Sequence, residues 1–398
     1  MSFKREVATS KEIWSLRICS LQSRVCVTFF SLPFGFRDYL CETMNQIRFE
    51  GRNAQFFSTL RSRIDGYFTE NNIKQSGNWK LYSKTLILLS TLVLSYVLLV
   101  FFTPSAWVSV LLCIFMGINF ATIGFNVMHD GSHGSYSRKP WVNKIMALSL
   151  NVLGGNSFFW NQKHNVAHHS FTNIEGADED IDVSPYMRVS EYQPKYWFHR
   201  FQHIYGLLLY SLSYIMWIFY QDFVKYFTGK IGDRDIKTPL SAMDHIIFWF
   251  TKIAYIAIFI GFPMYYVGLA STLVGYSIMA LTTGFVIAVV FQLAHVVEDV
   301  TFVGKTSPVT NVESDWATHQ ILTTANFGTK SKSLAWLLGG LNFQVEHHLF
   351  PKISHVHYPK INKIVRETCE EFNVMYKEFP TMLSAIHSHL LHLKHIGA

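Results

Sequence analysis

Histidine carries the first chemical signal in this sequence. Of 18 histidines in 398 residues, eight stand in groups that share a pattern. His129 and His133 are four apart; His164, His168 and His169 form a second group; His295 follows a long apolar run; and Gln344 precedes His347 and His348. On a helix, positions i and i+4 share a face with Cβ atoms about 5–6 Å apart. His129/His133 and His164/His168 can therefore each aim two rings at one centre. Sequence neighbours are turned about 100° apart on a helix, so His168/His169 and His347/His348 suit one ring to each of two metals. Eight imidazoles and one amide are too many for a single tetrahedral zinc site. They suit two metals, each with an open position. Imidazole accepts Fe, Zn, Cu and Ni; an all-nitrogen shell at a membrane face with room for O2 points to iron. For any one histidine, or one H-x3-H pair, a structural residue bonded to a backbone carbonyl is the simpler reading. The metal reading rests on the groups falling together on one side of a membrane.

The elements that must position these groups are apolar helices. About half the chain is apolar (49%), 16% is aromatic and only 15% is charged, against roughly 25% charged in soluble proteins. That excludes disordered and fibrous proteins and an ordinary cytosolic enzyme. The net charge of +7 suits a surface facing anionic phospholipid; a nucleic-acid partner would fit the charge but not the apolar content. Two stretches, Thr85 to Met128 and Ile253 to Ala294, contain no Asp, Glu, Lys or Arg. Each is long enough for two spans of about 20 residues. Thr103-Pro104-Ser105 breaks the first, and Gly261-Phe262-Pro263 with Gly268 breaks the second. The expected fold is an all-α integral membrane protein: four transmembrane helices as two hairpins, with a cytosolic helical cap carrying the metals. Lys252, at the edge of the second stretch, is expected to snorkel. The uncharged hairpin tips put all charge on one side, the cytoplasm.

A third apolar run, Ile204 to Gln221, is long enough to cross. An odd crossing there would separate the histidine groups, so it is expected to lie in the interface, with Tyr205, Tyr210, Tyr214, Trp217 and Tyr220 at headgroup depth. Phe56, Phe57, Leu60, Ile64 and Phe68 fall at helical spacing and predict an amphipathic helix on the membrane before the first span. The resulting division is 1–43, an N-terminal extension that is an over-read if Met44 is the true start; 44–84, amphipathic; 85–128, first hairpin; 129–245, cap with the first two histidine groups and the interfacial helix; 246–294, second hairpin; and 295–398, a cytosolic part with the third group. His199, His203, His245, His355 and His357 read as structural or substrate-facing, His319 is ambiguous, and His387, His389, His392 and His395 read as a frayed tail. Five cysteines without paired spacing imply neither disulfides nor a Cys metal site. Asp130 stands where a zincin needs Glu, the paired Glu-x-x-His helices of soluble di-iron proteins are missing, and there is no G-x-S-x-G, P-loop or Gly-rich dinucleotide turn.

His129–His133, His164–His169 and Gln344–His348 resemble, in order, the three histidine boxes of the membrane-bound fatty acid desaturases. Gln at the head of the third box resembles the front-end and bacterial linoleoyl-CoA desaturase-like branch. Asn173-Ile174-Glu175-Gly176-Ala177-Asp178 and His348-Leu349-Phe350-Pro351 fit as well, and the similarity runs from about Met44 to about Glu378. The resemblance implies a di-iron centre as the catalytic group, with O2 as co-substrate and an acyl tunnel leading to it. It implies ligands His129, His133, His164, His168, His169, His295, Gln344, His347 and His348; Phe291, one turn before His295, cannot ligate. Carboxylates that hold ligand imidazoles are sought among Asp178, Asp180, Asp182, Glu298 and Glu346, whereas Glu175 and Glu179 read as solvated acids. The implied reaction inserts a cis double bond into an acyl-CoA or acyl-lipid. No His-Pro-Gly-Gly motif of a fused cytochrome b5 domain occurs, so electrons are expected from a separate ferredoxin or cytochrome b5-type protein. A bacterial inner membrane is favoured over the endoplasmic reticulum. The rivals are a hydroxylase or ketolase of the same superfamily and a metal transporter; the latter should carry ligands in mid-span, where these spans have none.

Overall fold

The computed structural model describes residues 46–398, apart from 52, 53, 233, 237, 307 and 308; the expected extension 1–43 lies outside them. The described chain is mostly helical. After α1 (Ala54–Glu70), five helices are long and apolar enough to cross a membrane: α2 (Trp79–Phe102), α3 (Ala106–Ser132), α4 (Trp197–Thr228), α5 (Ala242–Val267) and α6 (Leu269–His295). The break at Thr103-Pro104-Ser105 falls between α2 and α3 as expected. The second break is at Gly268 alone, with φ +84°, a conformation glycine adopts without steric cost. Gly261-Phe262-Pro263 stays inside α5, which widens to π-helical turns at Ala257–Gly261; such turns free backbone groups near a proline without ending the helix.

Four sequence expectations change. First, α1 does not lay its apolar stripe on lipid. Phe56, Leu60, Ile64 and Phe68 are buried against Ile361, Val365 and Cys369 of a C-terminal helix, α9 (Tyr358–Glu371); a protein face competes successfully for the same apolar surface. Second, Lys252 does not snorkel. Its Nζ donates to Asp222 Oδ2 at 2.8 Å and to the carbonyls of Gly154 and Ile218, so α4 supplies the counter-charge that water would have supplied. Third, Tyr210 and Tyr214 of α4 point into the protein rather than to headgroups. Tyr210 Oη pairs with His389 Nε2, and Tyr214 Oη meets Tyr255 Oη at 2.9 Å. Fourth, the C-terminal histidines are part of an ordered helix, α10 (Met382–Gly397). His389 Nδ1–H donates to Val296 O and His392 Nε2–H to Val189 O.

Between α6 and α9 lie α7 (Trp316–Leu322) and α8 (Gln344–Leu349). Among the described residues there are three two-stranded ladders, which the helical reading missed: a local hairpin at Lys230–Asp235, and two parallel pairs that tie distant parts together, of which Gln46–Phe49 with Val309–Val312 joins the start of the described chain to the segment after α6. α4 packs along α6 through a glycine contact. A Cβ at Gly284 would stand 2.4 Å from Ser211 O, and Ser213 Oγ donates to Gly284 O. Gly284→Val should therefore part these helices and cost about 1–3 kcal/mol, as overpacking does. Thermal unfolding of the detergent-solubilised protein measures it, and a wild-type midpoint would disprove the close approach.

Candidate metal centre

Each histidine group reaches the centre from a different element. The last turns of α3 widen at Gly124–Met128 before His129, and His133 caps the helix. His164 and His168 lie on a π-helical segment, Asn161–His168. His295 is the last residue of α6, and α8 carries Gln344, His347 and His348. All these residues are buried except His133, which is half-buried. Their donor atoms fall into groups within 4.8 Å of one another: His129, His133, His164 and His347 in one; His168, His295 and His348 in a second; His169 with His347 and His348 in a third; and His164, His168 and Asp180 in a fourth. The adjacent pair His347/His348 thus sends one ring to each of the first two groups and shares the third. His164 and His168, expected to share a centre, stand in different all-histidine groups but meet in the group with Asp180, their rings stacked 5.0 Å apart. A separate carboxylate stands behind each ring.

Those carboxylates are Asp178 and Asp180. His168 Nδ1–H donates to Asp178 Oδ2 and His164 Nδ1–H to Asp180 Oδ2, both at 2.8 Å, leaving each Nε2 with its lone pair free. Asp180 also meets Lys163 Nζ at 2.9 Å. Burial opposes its charge, yet Lys163 and His164 hold its carboxyl well below the usual range. The other three candidate carboxylates are elsewhere. Asp182 accepts from Ser184 N and Gln193 Nε2, Glu298 meets His395, and Glu346 is caged by Asn326, Asn362 and Tyr376. Burial lifts Glu346 to about 6. Sequence reasoning missed Gln320, whose Oε1 accepts from His348 Nδ1–H at 2.8 Å and from Thr172 Oγ1 at 2.9 Å. It also missed Tyr358, whose hydroxyl lies 3.2 Å from His347 Nδ1. No spacing rule marks either one, because both act across elements.

Whether these residues fit metal ions is answered by their unpaired atoms. Among the described residues, His133 Nε2, His164 Nε2, His168 Nε2, His347 Nε2 and both ring nitrogens of His169 are buried without a hydrogen-bond partner. Each such atom costs about 1–3 kcal/mol if nothing meets it. Five of the six, one on each ring, can present a lone pair, and five lone pairs at one place call for a cation. Burial, then neighbouring imidazoles, hold His169, His347 and His348 well below the ordinary imidazole range. They are therefore neutral at physiological pH, the state that binds metal. Gln344 Nε2 lies 3.0 Å from His295 Nε2 and 3.2 Å from His348 Nε2, so its amide faces two imidazole lone pairs. Turning that amide about its last bond would present Oε1, an acceptor with two lone pairs, instead. The rings of Phe291 and Trp160 wall the centre, at 5.2 Å from His168 and 4.4 Å from His164.

The profile of the fatty acid desaturase family matches residues 105–380, the stretch that holds every member of this centre. The chain belongs to the fatty acid desaturase family. It is 38% identical over 87% of its length to an acyl-lipid (8-3)-desaturase of Physcomitrium patens, covering 73% of that protein. It is 34% identical over 89% of its length to an sn-1 linoleoyl-lipid 6-desaturase of Synechocystis sp., covering 99% of it. An acyl-lipid (8-3)-desaturase of Mortierella alpina is 31% identical over 86% of the chain and 78% of its own length. This desaturase is thus an oxygen-dependent oxidoreductase acting on fatty acyl chains.

Two iron ions bound by these imidazoles would supply the oxidising power that takes hydrogen from an unactivated methylene. The protein's own part is legible. Asp178, Asp180 and Gln320 fix the tautomers of His168, His164 and His348, and burial with Phe291 and Trp160 keeps water away. Asp178→Asn keeps the shape but weakens the charge behind His168. It should lower metal affinity by roughly 10–100-fold, measured as metal retained against a chelator series; unchanged retention would remove Asp178 from this role. The cavity of about 640 Å³ beside the α2–α3 and α5–α6 connections is remote from the centre. It is lined by Met116, Phe259, Tyr276 and Met279 at its inner end, and Met116 lies about 20 Å of helix from His129 at 1.5 Å per residue.

Proposed function

We propose that this desaturase introduces a cis double bond between an existing double bond and the carboxyl end of an acyl chain carried on a membrane glycerolipid. Its site holds two iron ions through His129, His133, His164, His168, His169, His295, Gln344, His347 and His348. The reaction consumes one O2, two electrons and two protons, removes two hydrogens from a –CH2–CH2– unit and yields two waters. Electrons come from a separate ferredoxin or cytochrome b5-type protein. The observation that carries the iron reading is the gathering of five histidine rings with unpartnered nitrogens, split between groups that share the His347/His348 pair. The front-end position and the lipid carrier are supported by the (8-3)- and 6-desaturase relatives, whose names do not favour the hydroxylase alternative.

The proposed topology has four spans, with the centre on the cytoplasmic side. The rings of His168 and His295 are 4.7 Å apart, while α4, α5 and α6 lie between them in sequence. An odd number of crossings would separate them by the membrane. The number is therefore even: α4 enters and leaves on one side, and α5 and α6 form the second hairpin. The Lys- and Arg-bearing segments share that side, which supports the cytoplasm. The Synechocystis and Arthrospira platensis relatives support a bacterial inner membrane as host.

Expression of the full chain in a host supplied with linoleate and each candidate donor tests this reading. The expected product is a fatty acid lighter by two hydrogens, appearing first in the glycerolipid fraction, from protein that purifies with two iron ions. A product heavier by one oxygen would replace desaturation with hydroxylation. First appearance in acyl-CoA would overturn the lipid carrier, and protein that binds no iron would overturn the centre.

A further inference from the structure

Lys84 is the last charged residue before the first apolar stretch, and its place in α2 would let it reach out to headgroups. It turns inward instead and is buried. Its Nζ donates to Asn126 Oδ1 at 2.7 Å, to Trp336 O at 3.1 Å and to His355 Nε2 at 3.1 Å. With Nε2 accepting, His355 carries its proton on Nδ1, and that atom lies 3.0 Å from Asp130 Oδ1, a close polar contact without hydrogen-bond alignment. The other Asp130 oxygen accepts from Ser354 Oγ at 2.6 Å. Asn126 also donates to Leu337 O at 3.0 Å.

The groups this ammonium reaches, directly or through one or two partners, come from the segments that carry the first and third histidine boxes. Asn126 and Asp130 lie on either side of His129. Trp336 and Leu337 precede His347 in sequence, and Ser354 and His355 follow it. The turn at Gly339 presses on the same place: a Cβ there would stand 2.3 Å from Phe125 O. The rings of His129 and His347 are 4.4 Å apart, although the residues come from opposite halves of the chain. No local spacing sets that distance. The bonds radiating from Lys84 do, with a buried charge whose alternatives inside the protein are costly.

We propose that Lys84 is a positioning residue for the metal held by His129, His133, His164 and His347, fixing the first histidine box against the third through Asn126, His355 and Asp130. The inference rests on the two-metal reading above. It touches neither metal nor substrate, and a residue that merely braced the fold would affect both metal positions alike.

The test uses the full chain in detergent, stripped of metal and titrated with Co2+, whose visible absorption reports imidazole coordination. Wild type should bind two equivalents. Lys84→Met should keep one equivalent unchanged and weaken the other by roughly 10–100-fold, the effect of losing support behind a ligand. Adding His295→Ala to Lys84→Met should remove the remaining tight equivalent. Ser354→Ala, which deletes only a hydroxyl on Asp130, should weaken the same equivalent more mildly, and carries the test if Lys84→Met fails to fold. Two unaltered equivalents in the variant that folds, even with a lowered melting temperature, would overturn the positioning role. Equal weakening of both would reduce Lys84 to a brace. A wild type that binds no Co2+ would instead bring down the two-metal reading itself.

Discussion

His347→Ala should abolish double-bond formation and most metal binding while leaving the protein folded. His347 belongs to two of the donor groups, one with His129, His133 and His164 and one with His169 and His348. Its ring lies 4.4 Å from that of His129, 4.9 Å from His133 and 4.6 Å from His169. Its Nε2 is buried and unpartnered, so deleting it removes no native hydrogen bond on that side. Losing a residue that merely supports a ligand costs roughly 10–100-fold; losing a ligand at the meeting point of the groups should exceed that, by about 1,000-fold or more in product formed. The comparison is His357→Ala. His357 is also a buried histidine of the cap, but its Nε2–H donates to Ser76 O, away from the centre, and its loss should leave metal content near wild type. Mass analysis of total fatty acids and iron per chain measure both. If His347→Ala retained iron and product, the centre would have to be built without the third box.

The second large effect concerns stability. Asp222 is fully buried, and Lys252 is its charged partner, with the Trp217 Nε1–H donating to Asp222 Oδ1 at 3.2 Å. Lys252→Met strands the carboxylate inside the protein. Breaking one side of such a pair costs about 3–5 kcal/mol, so the variant should unfold at a clearly lower temperature. Lys252→Met with Asp222→Leu removes both charges and should recover most of the loss, because a packed apolar pair often equals or betters a buried ion pair. The pair joins α4 to α5, so the single variant should also expose α4 to proteolysis. A single variant as stable as wild type would mean that the carboxylate is neutral or hydrated, and the ion pair would lose its structural role.

Much of this protein was legible before its fold. The two charge-free stretches announced helices long enough to cross a membrane, because transfer into lipid excludes charge whatever the tertiary context. The eight grouped histidines and Gln344 announced a common centre, because i, i+4 spacing and adjacency are properties of a single helix. Asp178 and Asp180 were among the candidate supports because they closely follow the second box. Gln320 and Tyr358 were not visible. They reach His348 and His347 from α7 and α9, and no local pattern connects them. The amphipathic stripe of α1 was legible as a stripe, but not as a protein-facing one: water, lipid and another helix reward the same periodicity.

By itself, then, the sequence determined which side chains could chelate and which segments could enter a membrane, since both follow from residue type and helical repeat. Only the tertiary structure decided which imidazoles share a group, that Asp182, Glu298 and Glu346 serve elsewhere, and that Lys84 and Lys252 turn inward. Those outcomes depend on distances between atoms far apart in the chain. Such distances are set by how helices pack and by which buried charge finds a partner, and neither quantity is local.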